Sequence, residues 1–256
     1  MTDWNADLYL RFAEERTRPA AELLARVSLT AVRHAVDIGC GPGNSTELIA
    51  RRYPQAAVAG IDTSPDMLEK ARGRLPEVAF THGDVATFAA EPPADLLFAN
   101  AVLQWLPDHQ TLLPRLMESL APGGVLAVQM PDNLGEPSHR LMREVAMRPD
   151  FAGKIGEADK VRPRILPAGA YYDLLAPLAA TLDIWRTTYF HVLPDAPAIV
   201  DWVRATGLRP FLEPLDEAEE TAFLDAYTQQ IAAAYPRRVD GRVLLAFPRL
   251  FIVARR

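Results

Sequence analysis

The fold is indicated most clearly by the stretch Val36-Asp37-Ile38-Gly39-Cys40-Gly41-Pro42-Gly43-Asn44. An apolar strand ends at an acid, and three glycines follow at alternate positions. Residues without a Cβ are needed where a backbone turns sharply or approaches a ligand closely. The polar residues 44–46 then open a helix whose first N–H groups point back at the turn. The stretch therefore predicts a strand, a ligand-binding turn and a helix in direct succession.

Apolar runs recur along the first half of the chain with helical patterns between most of them. Strands are predicted at 34–38, 57–61, 78–82, 95–100 and 125–130. Short apolar strands that alternate with helices are typical of a parallel, doubly wound sheet. The run 95–100 is almost wholly apolar, as expected for a strand that is buried on both faces.

The ends of the chain and its second half follow a different pattern. Residues 1–30 are predicted to be helical, with Pro19 in the first turn of a second helix. An irregular, basic segment is expected at 148–167. The remaining predicted elements are helices at 137–147, 169–176, 195–205 and 216–234 and strands at 183–190 and 244–254.

Composition narrows the classes of function. The chain has 256 residues and a net charge of −6, which argues against a nucleic-acid partner because phosphate binding needs a basic surface. The single cysteine, Cys40, fits a reducing compartment. There is neither a signal-peptide pattern nor a run of about 20 apolar residues. We therefore expect a cytoplasmic protein without a membrane partner.

Polar residues stand at the ends of four successive predicted strands: Asp37, Asp62, Asp84 and Asn100. In doubly wound sheets, ligands bind beyond the carboxyl ends of the strands. Asp62 lies 19 residues after Gly43, a separation at which an acid can bind ribose hydroxyls. Each residue taken alone is equally well explained as a helix cap or a turn residue. The four together favour a nucleotide-type site.

The spacing of the glycines separates two kinds of nucleotide site. The dinucleotide fingerprint is G-x-G-x-x-G, whereas residues 39–43 read G-x-G-x-G and are followed by Asn44. This pattern resembles motif I of the class I methyltransferases, which use S-adenosylmethionine. The resemblance implies that Asp37 approaches the methionine ammonium, that the glycine turn lies against ribose and methionine, and that Asp62 holds the ribose hydroxyls. Asp84 would then contact the adenine amine.

A wider resemblance covers essentially the whole chain. It rests on stretches in the N-terminal arm, after strand four and near the end of the chain. They are Asp3-Trp4-Asn5, Tyr9-Leu10, Glu15-Arg16-Thr17-Arg18-Pro19, Asn100-Ala101-Val102-Leu103-Gln104-Trp105-Leu106-Pro107-Asp108-His109, and the stretches 128–133, 183–189 and 245–256. Together they resemble the bacterial trans-aconitate 2-methyltransferases. The resemblance implies methyl transfer from S-adenosylmethionine to a carboxylate of trans-aconitate, giving a monomethyl ester.

The expected architecture follows from the pattern and the resemblance together. It is a Rossmann-like, doubly wound α/β fold with a mostly parallel seven-stranded sheet, an antiparallel last strand and a helical cap. A single domain is expected over 1–256. Its expected parts are an N-terminal arm at 1–30, a cofactor-binding core at 31–132, a substrate cap at 133–240 and a final strand at 241–256.

A carboxylate acceptor is ionised at neutral pH, so we expect neither a general base nor a metal, and catalysis by positioning alone. A tricarboxylate needs cations, and the arm supplies Arg11, Arg16 and Arg18. Arg18 is predicted to bind the carboxylate of the cofactor and Arg16 the substrate. The alternative is that these arginines pair with Glu14, Glu15 and Glu22 on a solvated helix face.

The predicted site has two parts. The cofactor residues are Asp37, Gly39, Cys40, Gly41, Asp62, Thr63, Met67, Asp84, Val85, Asn100, Ala101 and Arg18. The substrate residues are Tyr9, Arg16, Gln104, Trp105, Tyr172 and His191. Cys40 is interpreted as a small residue in a tight turn rather than as a nucleophile.

Several alternatives stay open at this point. The chain could methylate another small metabolite, or a protein or RNA, or it could bind the cofactor without catalysis. A dehydrogenase is disfavoured by Asn44 and by the acid Asp37, which would repel a pyrophosphate. A monomer is expected.

Overall fold

A computed structural model describes residues 13–161, 163–204 and 206–256, with side chains from residue 17 onward. Within these residues seven strands form one sheet in the order β3-β2-β1-β4-β5-β7-β6. The strands are His34–Ile38 (β1), Ala57–Asp62 (β2), Ala79–His82 (β3), Ala94–Asn100 (β4), Leu120–Pro131 (β5), Thr181–Leu193 (β6) and Val243–Arg255 (β7).

The strand directions confirm the predicted fold class. β1 pairs in parallel with β2 and β4, and further parallel pairs join β2 to β3 and β4 to β5. β7 runs the other way. The N–H of Gly123 donates to the carbonyl of Arg256, while the N–H of Asp132 donates to that of Pro248. Because the partner number falls as the β5 number rises, β7 is antiparallel to β5.

The first described helix precedes β1, and the other described helices lie in the chain between successive strands. Their bounds are Ala13–Arg26 (α1), Asn44–Arg52 (α2), Pro65–Arg74 (α3), His109–Glu118 (α4), Pro137–Ala146 (α5), Pro149–Ile155 (α6), Ala168–Leu175 (α7), Ala196–Arg204 (α8), Arg209–Leu212 (α9) and Glu217–Ala234 (α10). Single 3₁₀ turns occur at Leu103–Trp105 and Ala158–Lys160.

Three local predictions were wrong. Pro19 lies inside α1 and not in the first turn of a helix. The segment 148–167 contains α6 and a 3₁₀ turn instead of being irregular. β5 begins at Leu120, five residues earlier than expected, and passes through a Pro-Gly-Gly sequence. Glycine suits this strand because a Cβ at Gly124 would lie 2.9 Å from the carbonyl oxygen of Ala94 on the neighbouring strand.

The chain divides into two compact units. Among the described residues, unit 1 comprises 13–131, 165–187 and 250–256, and unit 2 comprises 132–161, 163–164, 188–204 and 206–249. In unit 1, Leu96, Leu97 and Phe98 of β4 are fully buried, as the apolar run predicted. The assignment of 133–240 as a substrate cap stays a prediction. None of the described helices is long and apolar enough to cross a membrane.

Candidate active site

A cavity of about 370 Å³ lies in unit 1 beyond the carboxyl ends of β1, β2, β3 and β4. Its volume is within the range of small-molecule sites. The lining residues are Thr17, Ala20, Gly39, Cys40, Gly41, Pro42, Asn44, Ser45, Asp62, Thr63, Met67, Asp84, Val85, Asn100, Ala101, Val102, Trp105 and Leu106. They include most of the predicted cofactor residues.

The turn after β1 needs glycine for two different reasons. Gly39 and Gly41 have φ values of +67° and +53°, in the left-handed region that residues with a Cβ adopt at a cost. A Cβ at Gly39 would lie 2.3 Å from Cγ2 of Val102, so this glycine permits close packing. At Gly41 no described heavy atom lies within 4 Å of the Cβ position. The open space beside Gly41 therefore leaves room for a ligand against the backbone.

Asp62 joins the end of β2 to that turn. Its Oδ2 accepts a hydrogen bond from the N–H of Gly41 and its Oδ1 accepts one from the N–H of Ser64, both at 2.9 Å. Ser64 in turn caps α3 by accepting from the N–H of Met67, as the sequence predicted. Two backbone donors hold the carboxylate in one orientation at the cavity wall, where its remaining lone pairs can accept bonds from a ligand.

Asp37 lies behind the cavity wall. Its side chain is fully buried, and its Oδ2 accepts hydrogen bonds from Ser45 Oγ at 2.7 Å and Thr46 Oγ1 at 2.6 Å. Oδ1 has no hydrogen-bond partner among the described residues. The pKa of Asp37 is raised to about 7, mainly by burial and to a smaller extent by the charge of Asp62, while the hydrogen bonds from Thr46 and Ser45 oppose the increase.

The position of Asp37 bears on its predicted role. Ser45 lines the cavity and donates to Asp37, whereas Asp37 is not among the described lining residues. Direct contact between Asp37 and a bound ligand therefore stays a prediction. The geometry supports an indirect effect of Asp37 on a bound ligand. Asp37 would orient Ser45 at the cavity wall, and its carboxylate charge would contribute to the electrostatic potential in the cavity.

The ends of β3 and β4 complete the wall as the sequence predicted. Asp84 fixes the loop after β3 by accepting from the N–H of Ala86 at 2.8 Å. Asn100 presents a buried Oδ1 that has no hydrogen-bond partner among the described residues. Because a buried acceptor without a partner is costly, this atom marks a place for a ligand donor.

Cys40 lines the turn as a small residue. Its thiol is buried, and burial raises the pKa of the thiol far above its ordinary value, with further increases from Asp37 and Asp62. A thiol that stays protonated is a weak nucleophile. The interpretation of Cys40 as a packing residue is consistent with this environment.

Gln104 and Trp105 face different ways. Trp105 lines the cavity, whereas Gln104 is 4% exposed and its Nε2 donates to the carbonyl of Ala101 at 2.6 Å. In a 3₁₀ turn neighbouring side chains point about 120° apart, so the two cannot share one face. The structure thus places Gln104 as a brace for the turn, and the predicted substrate contact of Gln104 is not supported.

Helix α1 presents a different face to the cavity from the one expected. Arg18 is 67% exposed and forms an ion pair with Glu22 at 2.9 Å, which is the alternative that the sequence left open. Thr17 and Ala20 line the cavity instead. These two positions are three residues apart and share a helix face, whereas Arg18 is turned by about 100° from Thr17 and by about 160° from Ala20.

The other predicted substrate residues are not among the described cavity lining. Tyr9 and the side chain of Arg16 lie outside the described part of the chain. Tyr172 on α7 is 57% exposed. His191 belongs to unit 2, where its ring packs on Trp202 at 4.3 Å between centroids.

Seven lining residues were not among the predicted site residues: Thr17, Ala20, Pro42, Asn44, Ser45, Val102 and Leu106. The shared helical face of Thr17 and Ala20 was the one available signal for the first two. Val102 and Leu106 lie in the 101–106 turn, whose left-handed Ala101, with φ of +57°, has no signature in the sequence.

The electrostatics of the cavity are one-sided. Asp62 and Asp84 carry the ionisable carboxylates of the wall, and the described lining residues include no Lys, Arg or His. Groups of three or more His, Cys, Asp or Glu that could hold a metal ion are also absent from the described residues. The described wall therefore favours a cation and offers no cationic side chain to a phosphate.

Comparison with known proteins agrees with this geometry. A family model described as "Methyltransferase domain" matches residues 35–124, which run from the second residue of β1 through β4 and include the glycine turn. A solved S-adenosylmethionine-dependent methyltransferase from Geobacter sulfurreducens, in complex with S-adenosylhomocysteine, is 19% identical with a TM-score of 0.55, and the match covers 100% of both chains. This likeness supports the methyltransferase type of fold.

Curated relatives match over the full length. Trans-aconitate 2-methyltransferase from Methylobacterium radiotolerans is 65% identical, with 100% of this chain and 99% of the relative covered. The protein of the same name from Paracidovorax citrulli is 60% identical with the same coverage. The chain belongs to the trans-aconitate 2-methyltransferase family.

Proposed function

We propose that the chain transfers a methyl group from S-adenosylmethionine to a carboxylate of trans-aconitate, giving the monomethyl ester and S-adenosylhomocysteine. The observation that carries this proposal is the full-length identity of 65% to a protein of that name. The acidic cavity at the strand ends supports the cofactor half of the proposal independently.

The residues of the cavity fit the cofactor. When bound, S-adenosylmethionine supplies a methyl group on a sulfonium, together with an ammonium, and both positive charges suit a wall with Asp62 and Asp84. Asp62 is held so that it can accept from ribose hydroxyls, and Asn100 offers a buried acceptor. The space beside Gly41 lets the ligand approach the backbone. The described wall has no cation for a dinucleotide pyrophosphate, which disfavours a dehydrogenase.

The acceptor needs little chemical assistance from the protein. A carboxylate with a pKa of about 4 is ionised at neutral pH and is already a nucleophile. Among the described lining residues no histidine is present, and the one thiol stays protonated. We therefore infer that the chain acts by aligning the acceptor oxygen with the methyl group, an effect that contributes up to about 7–11 kcal/mol in favourable cases.

Cations for the three carboxylates must come from outside the described cavity wall. We propose Arg16 and Tyr9 of the N-terminal arm as substrate contacts, with Trp105 forming the neighbouring wall. Planar guanidinium binds carboxylate with two parallel hydrogen bonds, which suits this task. Arg16→Ala is expected to raise the KM for trans-aconitate while the affinity for S-adenosylhomocysteine changes little. An equal loss of both would contradict the assignment.

The proposal includes a cytoplasmic, monomeric enzyme. A single buried cysteine fits a reducing compartment. Light scattering after size-exclusion chromatography tests the monomer, and a fusion to a fluorescent reporter in the source organism tests the location.

The central experiment measures transfer from methyl-labelled S-adenosylmethionine to a panel of di- and tricarboxylates. We expect a base-labile ester on trans-aconitate with the highest kcat/KM of the panel. Base-stable label on an amine or alcohol would instead indicate another small metabolite as acceptor. Binding of NAD without binding of S-adenosylhomocysteine would overturn the cofactor assignment.

A further inference from the structure

One wall of the cavity is a short turn with a strained backbone. Residues Ala101, Val102, Trp105 and Leu106 belong to the 101–106 turn after β4, and all four line the cavity. Ala101 is held in the left-handed region, with its N–H donating to the carbonyl of Gln129 at 2.9 Å. A non-glycine residue in that region costs about 1–2 kcal/mol, so contacts on the far side of the turn must stabilise it.

His109 supplies one of these contacts from the first residue of α4. Its ring is 6% exposed, and Nε2 lies 2.8 Å from the carbonyl oxygen of Leu103 in the middle of the turn. A carbonyl oxygen only accepts hydrogen bonds, so Nε2 must carry a hydrogen and donate. In the neutral ring Nδ1 is then an acceptor.

Tyr171 completes that arrangement from α7. Its hydroxyl lies 2.6 Å from Nδ1 of His109 and accepts a hydrogen bond from the N–H of Leu166 at 3.2 Å. The side chain is fully buried. Nδ1 at 2.6 Å is a closer acceptor for the single hydroxyl hydrogen than Sδ of Met130 at 3.8 Å. By donating to Nδ1 the hydroxyl fixes the tautomer that places the hydrogen on Nε2, facing Leu103. The opposite tautomer would set a lone pair of Nε2 against the Leu103 carbonyl.

We propose that His109 and Tyr171 are positioning residues that hold the 101–106 turn, and with it the Trp105 wall, in the orientation needed to align the acceptor carboxylate. This inference rests on the proposed function. Neither side chain lines the cavity among the described residues, so both act through the Leu103 carbonyl. The path is Tyr171 to His109 to Leu103, and all of it lies within unit 1.

Two substitutions of His109 separate positioning from general packing. In His109→Gln the side-chain amide reaches the Nε2 position and can still donate to Leu103. In His109→Asn the shorter amide reaches only the Nδ1 position, so it can contact Tyr171 but not Leu103. Tyr171→Phe removes the hydroxyl that sets the tautomer. Tyr53→Phe is the matched control, because Tyr53 is also buried and donates to the carbonyl of Leu29 away from the cavity.

The test measures kcat, KM for trans-aconitate, affinity for S-adenosylhomocysteine and melting temperature for each variant. For His109→Asn and Tyr171→Phe we expect kcat to fall about 10- to 100-fold, with a much smaller change in cofactor-product affinity. His109→Gln should retain most of the kcat. Tyr53→Phe should lower the melting temperature without lowering kcat.

A second readout does not depend on turnover. The emission of Trp105 is obtained by subtracting the spectrum of each protein's Trp105→Phe counterpart, and it should shift to the red in His109→Asn and Tyr171→Phe as the indole gains water. A normal kcat in His109→Asn, or an equal loss in the Gln and Asn variants, would overturn the inference. Absence of transfer to trans-aconitate by the unmodified chain would overturn the proposed function. The emission shifts would still decide whether His109 and Tyr171 hold the 101–106 turn and Trp105 in place.

Discussion

The carboxylate of Asp62 accepts a hydrogen bond from the backbone N–H of Gly41 at 2.9 Å. This bond links two adjacent strand ends, because Asp62 closes β2 and Gly41 lies in the turn after β1. A second link, from the N–H of Cys40 to the carbonyl of Ile61, has the same length. The floor of the cavity is thus fixed before any ligand binds, which lowers the conformational entropy that binding must overcome.

Asp62→Ala is expected to weaken the binding of S-adenosylhomocysteine about 10- to 100-fold, since it removes the proposed contact with the ribose hydroxyls and leaves two backbone N–H groups without their acceptor. Isothermal titration calorimetry measures the change. Glu69→Ala is the control, because it removes one negative charge from an exposed position on α3. A similar loss in both variants would show that general charge, and not the fixed carboxylate, governs binding.

Gly39→Ala should mainly lower folding stability, whereas Gly41→Ala should mainly lower cofactor affinity. Alanine at Gly39 collides with Val102, so the variant should be strongly destabilised in urea unfolding. Alanine at Gly41 has room but extends toward the ligand, so stability should fall by only about 1–2 kcal/mol while cofactor affinity falls more.

Gly241→Ala controls for backbone strain in this comparison. Gly241 has a φ of +79° and open space around its Cβ position, and it is outside the described cavity lining. Unchanged S-adenosylhomocysteine binding in Gly41→Ala would contradict the close approach of ligand to this backbone.

Asp37 should make the stability of the ligand-free chain depend on pH. Its pKa rises from 3.8 to about 7 on folding, mainly through burial. Between these values the folded chain keeps a proton that the unfolded chain has released, so the free energy of unfolding falls as the pH rises from about 4 to about 7 and is level above that. Asp37→Asn removes this titration and can still accept from Ser45 and Thr46.

The stability of Asp37→Asn relative to the unmodified chain should therefore increase by roughly 1–3 kcal/mol between about pH 5 and about pH 8. Urea unfolding at both pH values measures it. The same substitution at exposed Asp225 on α10 matches the change in charge. A difference that is constant with pH at position 37 would show that Asp37 does not bind a proton on folding.

Arg52→Ala should loosen the helix that carries Thr17 and Ala20. The Arg52 guanidinium donates to the carbonyls of Leu24 and Val27 at the end of α1. We expect a loss of about 1–3 kcal/mol in unfolding free energy, together with weaker S-adenosylhomocysteine binding. Arg51→Ala is the control, since the neighbouring Arg51 is 73% exposed and forms its ion pair with Glu47 on the same helix. Loss of binding in Arg51→Ala but not in Arg52→Ala would contradict the role of this contact.

The strand ends were predictable and the direction of individual side chains was not. The apolar runs that define the strands are followed by Asp62, Asp84 and Asn100. The position of these residues at the carboxyl edge of the sheet, where they line the cavity, could therefore be predicted from the sequence. The rotation of α1 that turns Thr17 inward and Arg18 outward depends on what that helix packs against. The side chains of Gln104 and Trp105 point in different directions because both residues lie in a 3₁₀ turn, which no residue pattern predicts. Local periodicity therefore located the site, while long-range packing decided which neighbours face it.

The chain order of the sheet has a consequence for synthesis on the ribosome. β7 is last in sequence, yet it is inserted between β5 and β6. β5 and β6 are therefore synthesised before the strand that pairs with both of them. The edges that will contact β7 stay unpaired until the residues up to 255 have been translated. The nascent chain cannot complete its sheet during elongation, so an arrest of translation before β7 would leave one edge of β5 and the whole of β6 unpaired and prone to aggregation.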